Sequence, residues 1–149
     1  MELSVFSDKH FMQEALKEAH YAYNQNEVPV GAVVVCKGRI IARAYNQTEQ
    51  LNDCTAHAEM IALTSAFNYL GSKYLPECDL FVTLEPCLMC AGALHWAQVK
   101  RVVYGASDSK KGFTLLGQKV LHPKTSVLSG IMAPECEQIL QNFFKRLRN

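Results

Sequence analysis

Apolar and polar positions follow two different periods along this chain. Behind Ser7, a residue type that caps helix starts, Phe11, Ala15, Ala19 and Tyr23 recur at helical spacing with Leu16 and Ala22 beside them, and Lys9, Glu14, Lys17 and Glu18 fall between. The spacing predicts an amphipathic helix at the start. After Pro29 the period changes: Val30 to Val35 and Ile40 to Tyr45 are short β-branched or apolar runs on either side of Lys37-Gly38-Arg39, which predicts a two-stranded hairpin. Asn46 to Asp53 is polar without an apolar period and reads as a loop. A helix from about Thr55 to Tyr69 follows, with Gly71 beyond its end.

The second half repeats the alternation. Leu80 to Leu84 is a short apolar strand, Pro86 punctuates the turn after it, and a helix is expected over Leu88 to Ala97. Arg101 to Tyr104 reads as a further strand, and the intervening helix makes it parallel to Leu80–Leu84 through a crossover. Gly105 to Thr125 carries three glycines and Pro123 and is expected to be mainly loop, with room for one helical turn. Val127 to Ile131 is a candidate last strand. Pro134 to Arg148 is a candidate final helix, with Ile139, Leu140, Phe143, Phe144 and Leu147 on its apolar side. The sum is an α/β layer fold with helices on both faces of a mixed sheet.

Composition narrows the class. A chain of 149 residues, 49% hydrophobic and 19% charged, is long enough for one well-buried core and short for two, so residues 1–149 are expected to form a single domain. No apolar run approaches the ~18 residues that span a bilayer. Met1 to Asp8 shows no basic flank, apolar stretch or small-residue cleavage site, so no export signal is expected and the cytoplasm is the default. A net charge of +1 supplies no strong global field, so contact with nucleic acid would have to come from local patches.

Two of the six cysteines stand in Pro86-Cys87-Leu88-Met89-Cys90, which favours a metal over disulfides. Cysteines three apart on the first turn of a helix share a side, and a helix N-terminus favours thiolates. By itself the pair is also compatible with a redox site. A zinc ribbon would need a second Cys-x-x-Cys, which the chain lacks. His57-Ala58-Glu59 upstream supplies what completes a catalytic zinc site: one nitrogen ligand, and a carboxylate that is not a ligand. Residues i and i+2 do not share a face of a regular helix, so His57 and Glu59 converge only if His57 stands at the helix start, capped by Asp53 or Thr55. One neutral imidazole and two thiolates cancel the charge of Zn²⁺ and weaken its hold on water, so a base is needed. Glu59 fits: it can take the water's proton, pass it to a ring nitrogen and help protonate the departing amine.

The remaining chemistry is less constrained. Glu85 either orients the site or simply ends a strand. Cys36, Cys54, Cys78 and Cys136 are expected to pack as small buried or half-buried residues. Cys54, three residues before His57, could also approach the metal, although a fourth protein ligand would close the site to water.

These residues resemble the cytidine deaminase superfamily and, within it, the bacterial tRNA adenosine deaminases. The likeness runs through Pro29–Val35, Tyr45-Asn46, Thr55–Glu59, Val82–Ala93 and Arg101–Ala106, and ends in Cys136 and Phe143-Phe144. It implies a three-layer α/β/α fold on a five-stranded mixed sheet, one Zn²⁺ per subunit held by His57, Cys87 and Cys90, Glu59 as proton shuttle, and a homodimer. It also implies hydrolysis of adenosine to inosine at the wobble position of a tRNA anticodon loop. Asn46 matches the family residue that hydrogen-bonds the substrate nucleotide, with a plain turn residue as the alternative. Ala58, Val30 and Phe144 match positions at the base pocket. The chain departs from many such enzymes at Ala97-Gln98 and Thr125-Ser126, where those carry Ser-Arg and His-Arg. Lys110, Lys111, Lys119, Lys124 and the tail Lys145-Arg146-Leu147-Arg148 could restore a phosphate-binding surface. Two competing expectations stand beside this one: a deaminase of a small nucleobase or nucleoside, and a structural zinc protein, against which Glu59 argues.

Overall fold

Five strands and four helices alternate in the computed structural model, which describes residues 7–149; most of the segment on which the absence of an export signal rests lies outside them. The first helix, α1 (Asp8–Asn24), starts as expected: the Ser7 hydroxyl accepts the N–H of His10 at 3.2 Å. β1 (Gly31–Cys36) and β2 (Arg39–Tyr45) form the hairpin, turned by Lys37 and Gly38 at φ 53° and 79°, the pair of positive φ values a tight hairpin turn requires. Then come α2 (Ala58–Leu70), β3 (Cys78–Leu84), α3 (Leu88–Ala97), β4 (Arg101–Ala106), β5 (Ser126–Ser129) and α4 (Ala133–Arg148).

The sheet order is β2-β1-β3-β4-β5, with β1 antiparallel to both its neighbours and β3, β4 and β5 parallel. Alternation along the strands divides the core in two. Ala32, Val34, Leu80, Val82, Val102 and Tyr104 pack with α2 and α3 on one face, and Val33, Val35, Phe81 and Val103 pack with α1 and α4 on the other. Covered on both sides, β1 is apolar at consecutive positions, which is why its sequence shows a run and not an alternation. Gly31 lets α1 lie directly on the sheet, because a Cβ there would collide with the Ala15 carbonyl and the Ala19 amide.

Some expectations shift. β3 begins at Cys78, two residues before the apolar run, because backbone pairing with Cys36 and Val35 extends it. β5 is displaced to Ser126–Ser129 and is exposed throughout; its bonds to β4 define it, and Gly130 at φ 88° ends it before Ile131. The stretch after β4 holds two short 3-10 turns, Phe113–Leu116 and Gln118–Val120, in place of one helical turn. In α4 the buried side is Cys136, Ile139 and Phe143, so the expected apolar side is rotated: Phe144 and Leu147 are exposed at 42% and 63%. Arg146 covers part of the gap by stacking on Tyr23, 4.1 Å from the ring centre.

Candidate active site

The parallel strands β3 and β4 both end at the same edge of the sheet, the edge where open α/β sheets gather their chemistry. The helices that face them there start with the candidate ligands. His57 is the N-cap of α2 and Cys87 the N-cap of α3, both with extended backbone (φ −74°, ψ 153°; φ −75°, ψ 176°). This resolves the i, i+2 difficulty. Because His57 lies before the helix proper, its ring turns over the helix start while Glu59 projects from the first turn. Asp53 and Thr55 do not cap α2: the Asp53 carboxylate accepts the N–H and hydroxyl of Thr55 at 2.8 and 2.7 Å, closing a turn one step earlier in the chain.

His57, Cys87 and Cys90 come together with their ligand atoms within 4.8 Å of one another, and His57 Nδ1 lies 3.6 Å from Cys87 Sγ and 3.5 Å from Cys90 Sγ. A tetrahedral zinc with nitrogen at about 2.05 Å and sulfur at about 2.3 Å sets these N–S edges at about 3.6 Å. The residues therefore fit zinc, with one position left for a non-protein ligand. Cys87 is prepared for it: the Cys90 S–H and the His57 ring bring its thiol down to about 3, and Cys87 in turn pushes His57 upward. The Cys90 thiol is pushed up, by Cys87 first and then by burial and Glu59. Cys54 is exposed and does not join the group, contrary to both expectations for it: a short polar turn carries it outward, with no apolar neighbour to bury it.

Glu59 is 4% exposed, and burial pushes its carboxyl up to about 7. At neutral pH such a group both takes and gives a proton, which is what a proton shuttle requires. Glu85 is equally buried but acts elsewhere. Its carboxylate accepts the N–H of Asp108 at 2.9 Å and the N–H and hydroxyl of Thr114 at 3.0 and 2.7 Å, so it ties down the segment after β4. That segment in turn braces Cys87, through a bridge to Gly112 and a bond from Phe113 N–H to the Pro86 carbonyl at 3.0 Å.

A cleft of ≈ 890 Å³ opens over the ligands, bordered by the β2–α2 loop, the segment after β4 and α4. It is lined by all four of the expected substrate residues, Val30, Asn46, Ala58 and Phe144, and by Lys110 and Lys111 at its rim. Asn46 is also a turn residue. Its side-chain oxygen accepts the N–H of Thr48 at 3.3 Å, and its amide donates to the Val28 carbonyl at 3.1 Å. Ser107 and Asp108 line the cleft as well; their position follows from β4 ending at the site, which the sequence showed only as a strand end. Glu27 is wholly buried, although nothing local in the sequence distinguishes it from a solvated glutamate at a helix end. The two departures, Ala97-Gln98 before β4 and Thr125-Ser126 at the start of β5, lie at the opposite ends of these strands from the cleft.

Residues 6–106 match the family described as the cytidine and deoxycytidylate deaminase zinc-binding region. A tRNA-specific adenosine deaminase of Agrobacterium fabrum is 46% identical over 144 residues, which cover 93% of this chain and 95% of the relative. Among solved structures, a chain from work on A-to-I editing by tRNA:A34 deaminases at the wobble position of transfer RNA aligns with a TM-score of 0.83 at 46% identity, over 88% of this chain and 99% of that one. A guanine deaminase from Bacillus subtilis is 40% identical with a TM-score of 0.65, over 68% of this chain and 65% of that one.

Proposed function

The chain belongs to the cytidine and deoxycytidylate deaminase zinc-binding family, and from that premise we propose that it converts adenosine to inosine by hydrolysis at the wobble position of a tRNA anticodon. The observation that carries the reading is a His-Cys-Cys group that fits zinc, with a buried glutamate, at the floor of a cleft larger than one base needs, in a chain that matches a tRNA-specific relative over 93% of its length. Zinc supplies the Lewis acidity that makes water a nucleophile near neutral pH. Glu59 accepts the proton that the water gives up and delivers it to the purine ring nitrogen next to C6. As the water oxygen bonds to C6, the same carboxyl takes its remaining proton and hands it to the amino group, whose bond to C6 breaks to release ammonia and leave the C6 carbonyl of inosine. Val30 and Ala58 form apolar walls for the base, Asn46 offers its remaining amide capacity to the nucleotide, and Phe144 at the rim offers a stacking face. Lys110 and Lys111 stand where the chain flanking a splayed base would leave the cleft.

The active unit is a homodimer. Apart from His95, α3 is apolar, yet one side of it, carrying Leu88, Gly92 and Trp96, is not covered, and Trp96 is 75% exposed. A second copy is the occupant that suits a self-complementary apolar face. Light scattering should give twice the chain mass, and Trp96→Arg should give the monomer; a wild-type monomer would refute the assignment. Free thiols at all six cysteines and an RNA substrate favour the cytoplasm, and no helix among the described residues is long and apolar enough to cross a membrane.

The reading is tested by incubating the zinc-loaded protein with an anticodon stem-loop carrying adenosine at the wobble position and, separately, with free guanine, cytosine and adenine. Inosine in the stem-loop is expected. Ammonia released from a free base with no inosine in the RNA would replace it with the small-molecule reading that the guanine deaminase match represents.

A further inference from the structure

We infer that Glu27 is a positioning residue for the substrate: its buried carboxylate holds the cleft wall formed by the loop between β2 and α2. The inference rests on the cleft being the substrate site. Glu27 lies on the short connection between α1 and β1 and has no solvent exposure. A carboxylate in such a place is costly unless it is bonded. Here it accepts two backbone N–H groups from a loop more than twenty residues away, those of Glu49 at 3.0 Å and Gln50 at 2.6 Å. From Gln47 to Thr55 the loop has no buried residue of its own, and Leu51 is 55% exposed.

The same connection also holds Asn46, through the Val28 carbonyl, and Asn46 in turn holds the N–H of Thr48. Residues 27 and 28 therefore fix, from below, both the side chain of Asn46 and the backbone from Thr48 to Gln50. Val28, Asn46 and Thr48 all line the cleft. Cys87 and Cys90 sit on another element, and His57 closes the loop at its far end as the cap of α2; none of the three bonds to Glu27. A fault at Glu27 should consequently loosen the grip on substrate while leaving the metal and the proton shuttle intact. The two donors point at two acceptor oxygens, and an amide cannot replace the carboxylate, because its NH₂ group would confront one of the N–H groups.

Glu27→Gln is therefore the diagnostic variant, assayed on whichever substrate the wild-type protein turns over, so that a wrong substrate assignment does not disguise the result. KM should rise about tenfold or more, the consequence of one charge-assisted hydrogen bond lost. kcat should stay within about twofold, and zinc should remain at one per chain. Hydrogen exchange should accelerate at the amides of Glu49 and Gln50 and not in β1 or β3. Unchanged exchange at those amides, unchanged KM despite faster exchange, or loss of zinc with a fall in kcat would each overturn the inference. If the variant does not fold, Gln50→Pro removes the closer donor from the exposed end of the pair. It should raise KM in the same way, and an unchanged KM would again overturn the inference.

Discussion

Substituting Gly112 by alanine should destabilise the protein through a single contact. The backbone at Gly112 is ordinary (φ −66°, ψ 146°), so alanine suits it and should gain about 0.4–1 kcal/mol from a stiffer unfolded chain. The obstacle is Glu85, because an added Cβ would overlap all three atoms of its carboxyl group. That group is 4% exposed and fixed by Asp108 and Thr114, so it has no free direction in which to move. The loop cannot lift either, since Gly112 bridges Cys87 and Phe113 is bonded to Pro86. Overpacking costs about 1–3 kcal/mol and loosening a bond to a charged group about 1.5–3. The net is a loss of about 1.5–5.5 kcal/mol, or roughly 3–22 °C in Tm for a chain of this size. Calorimetry on the zinc-loaded protein measures it, and a double-mutant cycle assigns the cause. In a Glu85→Ala background the carboxyl is gone, so adding Gly112→Ala should cost less than about 1 kcal/mol. A single variant within about 1 °C of wild type, or a cycle that comes out additive, would refute the reasoning.

Three further outcomes are expected. Glu59→Gln should lower kcat by about 10²–10⁴ with zinc content unchanged, because it removes the proton carrier and no ligand; residual activity above a tenth of wild type would contradict that role. Removing zinc with a strong chelator should abolish activity and lower Tm, with both restored by added Zn²⁺, and Cys90→Ser should fail to recover either fully. Burial raises the carboxyl of Glu18 above its ordinary 4.5, with Arg43 opposing and Glu14 adding to the rise. A raised carboxyl leaves full stability below 4.5 and withdraws it as pH rises through the folded value. Glu18→Gln should therefore melt close to wild type at pH 4 and above it at pH 7, and a difference that is the same at both pH values would count against the assignment.

What could be read from the sequence was local. The candidate ligands announced themselves because metal chemistry fixes residue type and spacing, and a strand, a proline and a helix start were enough to place Cys87 and Cys90. The position of His57 followed from a geometric requirement, and the structure meets it. The cap assignment failed because Asp53 and Thr55 bond to each other, a choice between two local turns that composition does not decide. β5 was misplaced for the opposite reason. Ser126 to Ser129 has little strand character and is held by its neighbour β4, so nothing within it marks its ends. The roles of Glu27 and Glu85 depend on backbone groups more than twenty residues distant, and no local pattern carries that information.

Three buried glutamates border the cleft region, and what separates their roles is whether their oxygens are already in use. Glu27 and Glu85 each accept backbone N–H groups from two residues, which commits their oxygens as fixed acceptors and makes them braces for the two loops that wall the cleft. Among the described residues, no N–H from another residue's backbone reaches the Glu59 carboxyl; burial, with Cys87 adding and its own N–H, His57 and Cys90 opposing, lifts it to about 7. A brace must keep its hydrogen bonds through a turnover, whereas a proton carrier must exchange its partner twice. The same side chain thus suits opposite tasks according to whether a distant loop occupies its oxygens.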